Sequence, residues 1–148
     1  MAYSFTDKSV WVTGASSGIG MALAKRLLNK GAKVIVTARN EDILQSVFAE
    51  NNNALVLAGD ITSLKVNQEI VAKAQKYFGR IDCAIFNAGT AEYIDAKNFS
   101  SEPFERMMEA NFLSMVKGIY PSHLKMQDSA RLETAIFEAS NFWASHSS

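Results

Sequence analysis

With 148 residues, of which 48% are hydrophobic, the chain is long enough for one domain with a packed core. Its 15 Lys and Arg balance its 15 Asp and Glu, and this zero formal charge excludes strong attraction to nucleic acid or anionic lipid. Neither a signal peptide nor a membrane span is recognisable, so we expect a cytoplasmic protein without nucleic-acid or membrane partners. The single cysteine, Cys83, fits a core position, and the two histidines lack neighbours at metal-ligand spacing, so we expect no metal site.

The first predicted strand, residues 9–12, leads through a glycine-rich loop into a helix that should end at Gly31. Gly14 would allow a tight turn, Gly18 a close approach of the backbone to phosphates, and Gly20 close packing of the helix on the sheet. The start of the helix would offer free N–H groups and a positive dipole end to an anion. The pattern predicts a site for a dinucleotide pyrophosphate, with an ordinary structural turn as the alternative.

Strand-like and helix-like segments continue to alternate along the chain. Three further strands are predicted at residues 34–38, 54–58 and 81–86. Asn40 and Ser63 are the expected N-caps of the helices between them, and Gly79 ends the second helix. This order predicts an α/β fold with a doubly wound parallel sheet, in one domain over 1–148 that stops after about the fifth strand. Ligands of such sheets bind where the strand order reverses, so the glycine loop and residues 87–89 should meet there.

Four motifs follow in a fixed order: Thr-Gly-x-x-x-Gly-x-Gly from Thr13, the pair Asp60 and Ile61, Asn-Ala-Gly from Asn87, and the helical Asn111. Together they resemble the short-chain dehydrogenase/reductase family from residue 5 to about residue 128, and the resemblance fades over 129–148. It implies an oxidoreductase that interconverts small-molecule carbonyls and alcohols with a nicotinamide cofactor, and full-length relatives that are homo-oligomers. The cofactor contacts implied by these motifs are Thr13, Gly14, Ser16, Ser17, Gly18, Ile19, Gly20, Asp60, Ile61, Asn87, Ala88 and Gly89.

The choice between NAD(H) and NADP(H) depends on the end of the second strand. An acidic side chain there would bond the ribose 2′-hydroxyl and repel a 2′-phosphate. This chain has no carboxylate at that point and carries Arg39 just beyond it. Because a guanidinium can form charge-assisted bonds to a phosphate, we expect NADP(H) to be favoured over NAD(H). The alternative is a surface arginine unrelated to the cofactor.

Asn111 is expected on a helix introduced by Ser101, Glu102 and Pro103, in line with methionines at helical spacing. We therefore expect its side chain to be buried, where an unpaired amide would cost about 1–3 kcal/mol. A structural hydrogen bond to a neighbouring strand is one interpretation. The resemblance implies another, in which Asn111 is a catalytic residue in a distorted helix whose freed carbonyl holds a water of a proton relay.

The resemblance also implies a serine after the fifth strand, followed by a Tyr-x-x-x-Lys pair. Residues 134–140 are the best match to that strand, which makes Ser140 the candidate for the substrate-positioning catalytic serine. The string from Tyr93 to Lys97 follows the Asn-Ala-Gly motif directly, so we expect a loop position rather than a catalytic pair on one helix. Tyr120 and Lys125 are one residue too far apart, and Pro121 is expected to break the helix between them.

The sequence is compatible with three interpretations. The chain is the cofactor-binding part of an oxidoreductase, a nucleotide-binding fragment without catalysis, or a truncation product without function. A frameshift or premature stop near residue 130 would explain why the resemblance fades there. Without the tyrosine and lysine we expect weak or absent turnover, because a positioned general acid contributes about 10²–10⁴-fold.

Overall fold

The computed structural model describes residues 4–94, 96–123 and 131–133, and a parallel sheet of five strands lies at its centre. The strands are β1 (Ser9–Thr13), β2 (Lys33–Thr37), β3 (Ala54–Val56), β4 (Cys83–Ile85) and β5 (Arg131–Glu133). The helices are α1 (Gly18–Asn29), α2 (Glu41–Phe48), α3 (Leu64–Phe78), α4 (Glu102–Met108) and α5 (Ser114–His123). A 3₁₀ turn (Ala96–Asn98) precedes α4. One turn of π-helix (Glu109–Leu113), called the π-turn, joins α4 to α5.

The strand order is β3-β2-β1-β4-β5, and every adjacent pair is parallel. Chain order therefore reverses direction between β1 and β4, where Val10 pairs with Val34 on one side and with Cys83 on the other. This confirms the predicted doubly wound α/β fold. The reversal leaves a crevice beyond the carboxyl ends of β1 and β4.

Apolar side chains cover both faces of the sheet. Val10 and Val12 pack on one face with residues of α1 and α2, whereas Trp11 packs on the other with residues of α3 and α5. The alternation follows from the two-residue period of a strand. Trp11 is fully buried, and its indole N–H donates to the Thr37 hydroxyl over 2.9 Å. Cys83 is a core residue, as expected from the sequence.

The capping residues predicted from the sequence lie at the ends of the observed helices. The Asn40 side chain accepts from the Ile43 amide at 3.1 Å, and the Ser63 hydroxyl accepts from the Val66 amide at 3.4 Å. Gly31 and Gly79 follow the last turns of α1 and α3 with φ of +78° and +81°. A left-handed φ of this kind closes a helix end at little cost only for glycine.

Two predictions about the end of the chain differ from the structure. The fifth strand begins at Arg131, ahead of the predicted segment 134–140, and Ser140 lies outside the described residues. Pro121 does not break its helix, because α5 continues to His123. Pro121 and Ser122 are both buried, and the Ser122 hydroxyl donates to the Gly118 carbonyl over 2.8 Å. Burial at this position offsets the cost of the backbone hydrogen bond that proline cannot make.

Candidate functional site

The glycine-rich loop joins β1 to α1; its residues Ser17 and Gly18 are exposed, whereas Ala15 is buried and its amide donates to the Thr37 carbonyl over 3.2 Å. Gly14 and Gly18 have φ of +69° and +51°, values that side chains disfavour. Ser17 is the N-cap of α1, yet its side chain makes no capping hydrogen bond. The first amides of the helix therefore remain available to a ligand, at the positive end of a dipole from twelve residues.

Two of the three glycines are required by contacts already present in the protein. A Cβ on Gly20 would lie 2.2 Å from the Gly14 carbonyl oxygen and 2.5 Å from Nδ2 of Asn87. A Cβ on Gly14 would lie 2.9 Å from Cα of Ala88. By contrast, a Cβ on Gly18 would meet nothing within 4 Å. The loop is thus tightly packed from behind and open in front, as the approach of a phosphate requires.

Thr13 connects the loop to the Asn-Ala-Gly segment. Its hydroxyl accepts from the backbone amides of Asn87 at 3.1 Å and Ala88 at 3.2 Å, and its side chain is buried. Thr13 and Gly20 lie behind the surface of the cleft rather than on it. They position the residues that do face the cleft, so their predicted contacts with a cofactor would be indirect.

A continuous cleft of about 1160 Å³ runs over the carboxyl ends of β2, β1 and β4. It brings together most of the residues singled out from the sequence: Gly14, Ser16, Ser17, Gly18, Ile19, Arg39, Asp60, Ile61, Asn87, Ala88, Gly89 and Asn111. Sequence reasoning missed Thr90, Glu92, Arg106 and Met107, which line the same cleft. No motif marks them, because their contacts link a loop to a helix further along the chain.

Arg39 and Asp60 lie at one end of the cleft, beyond the carboxyl ends of β2 and β3. Oδ1 of Asp60 accepts from the amide and the hydroxyl of Thr62, at 3.0 and 2.8 Å. The bond from the Thr62 amide is the main cause that lowers the pKa of Asp60, against the opposing effect of burial. The cations Arg39 and Lys117 lower this pKa further, so Asp60 is a carboxylate at neutral pH.

Asn111 lies in the middle of the π-turn and is exposed, not buried as the apolar spacing predicted. Its side chain pairs with one residue beyond β4: Oδ1 accepts from the Thr90 amide at 2.6 Å, and Nδ2 donates to the Thr90 carbonyl at 2.8 Å. The helix distortion implied by the resemblance is present, and such turns interrupt the regular hydrogen bonding of a helix. The structural partner is thus a loop rather than a strand.

An ion pair lies beside Asn111 at the rim of the cleft. The Arg106 guanidinium donates to both carboxylate oxygens of Glu92, with its shortest contact at 2.6 Å. These bonds lower the pKa of Glu92 and raise the pKa of Arg106. Arg106 is exposed and Glu92 is partly exposed, so the pair orients the loop after β4 more than it stabilises the fold.

The string from Tyr93 to Lys97 is divided between a loop and a short turn. Tyr93 is 87% exposed in the loop after β4, and Lys97 belongs to the 3₁₀ turn. The two residues therefore do not share a helix, as expected. In the part of the chain that the structure describes, no helix is long and apolar enough to cross a bilayer. Within the same residues, no three acidic, histidine or cysteine side chains are grouped as metal ligands.

Comparison with known proteins gives a consistent result. A family model described as short chain dehydrogenase matches residues 8–131. An uncharacterized oxidoreductase of Listeria monocytogenes is 32% identical over 117 residues, which cover 76% of this chain and 47% of the relative. Cis-1,2-dihydrobenzene-1,2-diol dehydrogenase of Pseudomonas putida is 32% identical over 139 residues, covering 88% and 49%.

Solved structures share the fold over most of the chain. A dehydrogenase/reductase from Sinorhizobium meliloti superposes with a TM-score of 0.81 at 26% identity, over 88% of this chain and 54% of that one. The enzyme KRED1-Pglu superposes with a TM-score of 0.80 at 28% identity. The chain spans about half the length of the curated relatives it matches. The match over residues 8–131 shows that the chain belongs to the short-chain dehydrogenase family, a family of oxidoreductases.

Proposed function

We propose that the protein is an NADP(H)-dependent oxidoreductase that interconverts a small-molecule carbonyl and an alcohol. The observation that carries the proposal is one cleft that joins the open front of the glycine loop to the π-turn of Asn111. The free amides of α1 and the space at Gly18 fit a diphosphate. The Asn87 to Gly89 segment lies between this position and Asn111, where the reacting end of a dinucleotide would lie.

The residues of this chain bind and orient, and a bound nicotinamide supplies the hydride. Ser16, Ser17 and the amides of α1 hold the diphosphate, while Asp60 and Ile61 flank the adenine. The side chain of Asn111 fixes Thr90, and thereby the loop that borders the substrate end of the cleft. The water-mediated proton relay through the π-turn is part of this proposal.

NADP(H) is the preferred cofactor in this proposal because Arg39 lines the cleft and no carboxylate ends β2. Calorimetric titration with NADPH and NADH tests it. We expect tighter binding of NADPH, and we expect Arg39→Ala to reduce the NADPH-to-NADH preference about tenfold, about 1.4 kcal/mol. Arg26→Ala removes an equal charge from the exposed face of α1 and should leave the preference unchanged. Equal affinities in the unaltered protein would refute the NADP(H) assignment.

We further propose that a polypeptide of these 148 residues binds NADPH but turns over carbonyl substrates weakly. Among the described residues, no tyrosine is followed four positions later by a lysine on the same helix. An absorbance assay of NADPH oxidation with a panel of ketones tests this proposal. Binding with little turnover supports it, and clear turnover contradicts it. A protein that binds neither nucleotide would favour the alternative of a chain without function.

A homo-oligomer in the cytoplasm is also part of the proposal, and an apolar stripe along α4 and α5 supports self-association. The stripe consists of large apolar residues four positions apart, each exposed by 41–57%: Phe104, Met108, Phe112, Val116 and Tyr120. Apolar patches of this kind mark protein interfaces. Sedimentation velocity with Phe112→Ser, and with Tyr77→Ser on exposed α3 as the control, tests the assignment. A dimer that persists in the Phe112 variant would contradict it.

A further inference from the structure

The loop formed by Asp60, Ile61 and Thr62, called the acidic loop below, forms one wall of the cleft. Two of its backbone carbonyls accept hydrogen bonds from side chains of two different helices. Nδ2 of Asn67 on α3 donates to the Ile61 carbonyl over 2.8 Å, and Nζ of Lys117 on α5 donates to the Thr62 carbonyl over 2.8 Å. The loop is therefore held from two sides by residues outside the four sequence motifs.

Asn67 is fully buried, and among the described residues its Oδ1 has no hydrogen-bond partner. A buried amide with one end unpaired is costly, and an apolar side chain would pack there without that cost. The bond to the Ile61 carbonyl offsets part of the cost. The position therefore serves the geometry of the acidic loop rather than the stability of the core.

Lys117 connects the acidic loop to the helix segment that carries Asn111. Besides the Thr62 carbonyl, its ammonium contacts the carboxylate of Glu109, the first residue of the π-turn. The charged groups that act on Asp60 are Arg39 and Lys117, and both favour its ionised form. The partly buried ammonium of Lys117 thus joins the acidic loop to the π-turn at the other end of the cleft.

We propose that Asn67 and Lys117 are positioning residues that hold the acidic loop against the adenine end of the cofactor. The link from Lys117 to Glu109 then couples binding of the adenine end to the order of the π-turn. The proposal rests on the proposed function, because it takes the acidic loop as the adenine contact. Ordering of the loop by the adenine end would then restrain Asn111 before any substrate is bound. This is a coupling between two ends of one cleft through a shared side chain.

The first test measures affinity for adenosine 2′,5′-bisphosphate, which represents only the adenine end. Lys117→Met should weaken its binding about tenfold, because a hydrogen bond from a charged group to the loop is lost. Lys117→Arg keeps the cation and should bind within about threefold of the unaltered protein. Lys73→Met removes an exposed cation from α3 and should have no effect. Unchanged affinity in Lys117→Met would overturn the positioning role.

The second test measures amide hydrogen exchange in the protein with and without adenosine 2′,5′-bisphosphate. We expect the nucleotide to slow exchange both in the acidic loop and in the π-turn of the unaltered protein. In Glu109→Gln the loop should still be protected and the turn should not, because the link to Lys117 is removed. Protection confined to the loop of the unaltered protein, or equal protection of the turn in Glu109→Gln, would overturn the coupling even where Lys117→Met does not fold.

These outcomes are distinguishable from failure of the proposed function. If the unaltered protein binds no adenine nucleotide, the cofactor assignment itself is wrong. If it binds the nucleotide and the variants behave like the unaltered protein, the cofactor assignment stands and the positioning role of Lys117 is wrong.

Discussion

The two sides of the cleft are built by different physical means. On the glycine side, backbone lies against backbone: a single added Cβ on Gly20 would come within 2.2 Å of the Gly14 carbonyl oxygen. On the helical side, side chains bridge the gaps, as Asn111 does to Thr90 and Arg106 to Glu92. At Gly14 and Gly20 the first arrangement tolerates almost no added volume. The second depends on polar bonds that are individually weak and exposed to water.

Under the proposed function, the two sides of the cleft bind different parts of the ligands. A diphosphate has the same shape in every dinucleotide, so a rigid cradle of amides suits it. Substrates differ from one relative to another, and a wall of side chains on a loop and a helix can change without disturbing the sheet. Four perturbations of the two sides test this contrast.

Gly20→Ala should have the largest effect on the free energy of unfolding, and a small effect would contradict the contrast. Because the new methyl group overlaps backbone atoms, the loop or α1 must shift. We expect a loss of about 3 kcal/mol in the free energy of unfolding, at the upper end for overpacked sites. Urea denaturation measures this loss. A loss below about 1 kcal/mol would mean that the loop yields easily and is not the rigid cradle described above.

Asn111→Leu should cost less, because only two hydrogen bonds to Thr90 are lost and water can replace them in part. We expect about 1–2 kcal/mol in the free energy of unfolding. Asn111→Asp keeps the acceptor and loses the donor, so it should fall between the leucine variant and the unaltered protein. A cost for Asn111→Leu equal to that of Gly20→Ala would show that the helical side is as rigid as the glycine side.

Gly18→Ala sharpens the comparison within the glycine side. The added methyl group would meet no atom within 4 Å, so the expected cost in unfolding free energy comes only from the left-handed φ of +51°, about 1 kcal/mol. If the open space receives the diphosphate, NADPH affinity should fall at least tenfold in calorimetric titration. A variant that binds NADPH as the unaltered protein does would place the diphosphate elsewhere.

Protonation of Asp60 at acid pH should have the smallest effect on the free energy of unfolding. The pKa of Asp60 lies below its ordinary value of 3.8, so the unfolded chain binds this proton more readily than the folded protein. The stabilisation is therefore present above pH 3.8 and is lost as the pH falls through the lower, folded-state pKa. We expect less than about 1 kcal/mol, because Asp60 is exposed. Urea denaturation at pH 7 and pH 3 should show a smaller acid loss in Asp60→Asn, and an identical loss would contradict the assignment.

Residues near one another in the chain were predictable where a local rule determines the structure. Asn40 and Ser63 cap helices because their side chains reach amides three residues ahead, and Gly31 and Gly79 end helices because they adopt positive φ. The glycine loop follows the same logic. By contrast, the exposure of Asn111 could not be predicted from spacing alone, because a π-turn rotates the residues after α4 relative to a regular helix.

The sequence by itself determined the parallel doubly wound sheet and the loop at its crevice, since strand alternation, caps and glycines act over a few residues. Only the tertiary structure decided which distant groups meet: Thr90 and Asn111 are 21 residues apart, and Thr62 and Lys117 are 55 apart. It also decided that Pro121 stays within α5, because burial outweighs a local preference. Contacts of this kind depend on how whole helices pack on the sheet, and no short pattern of residues records them.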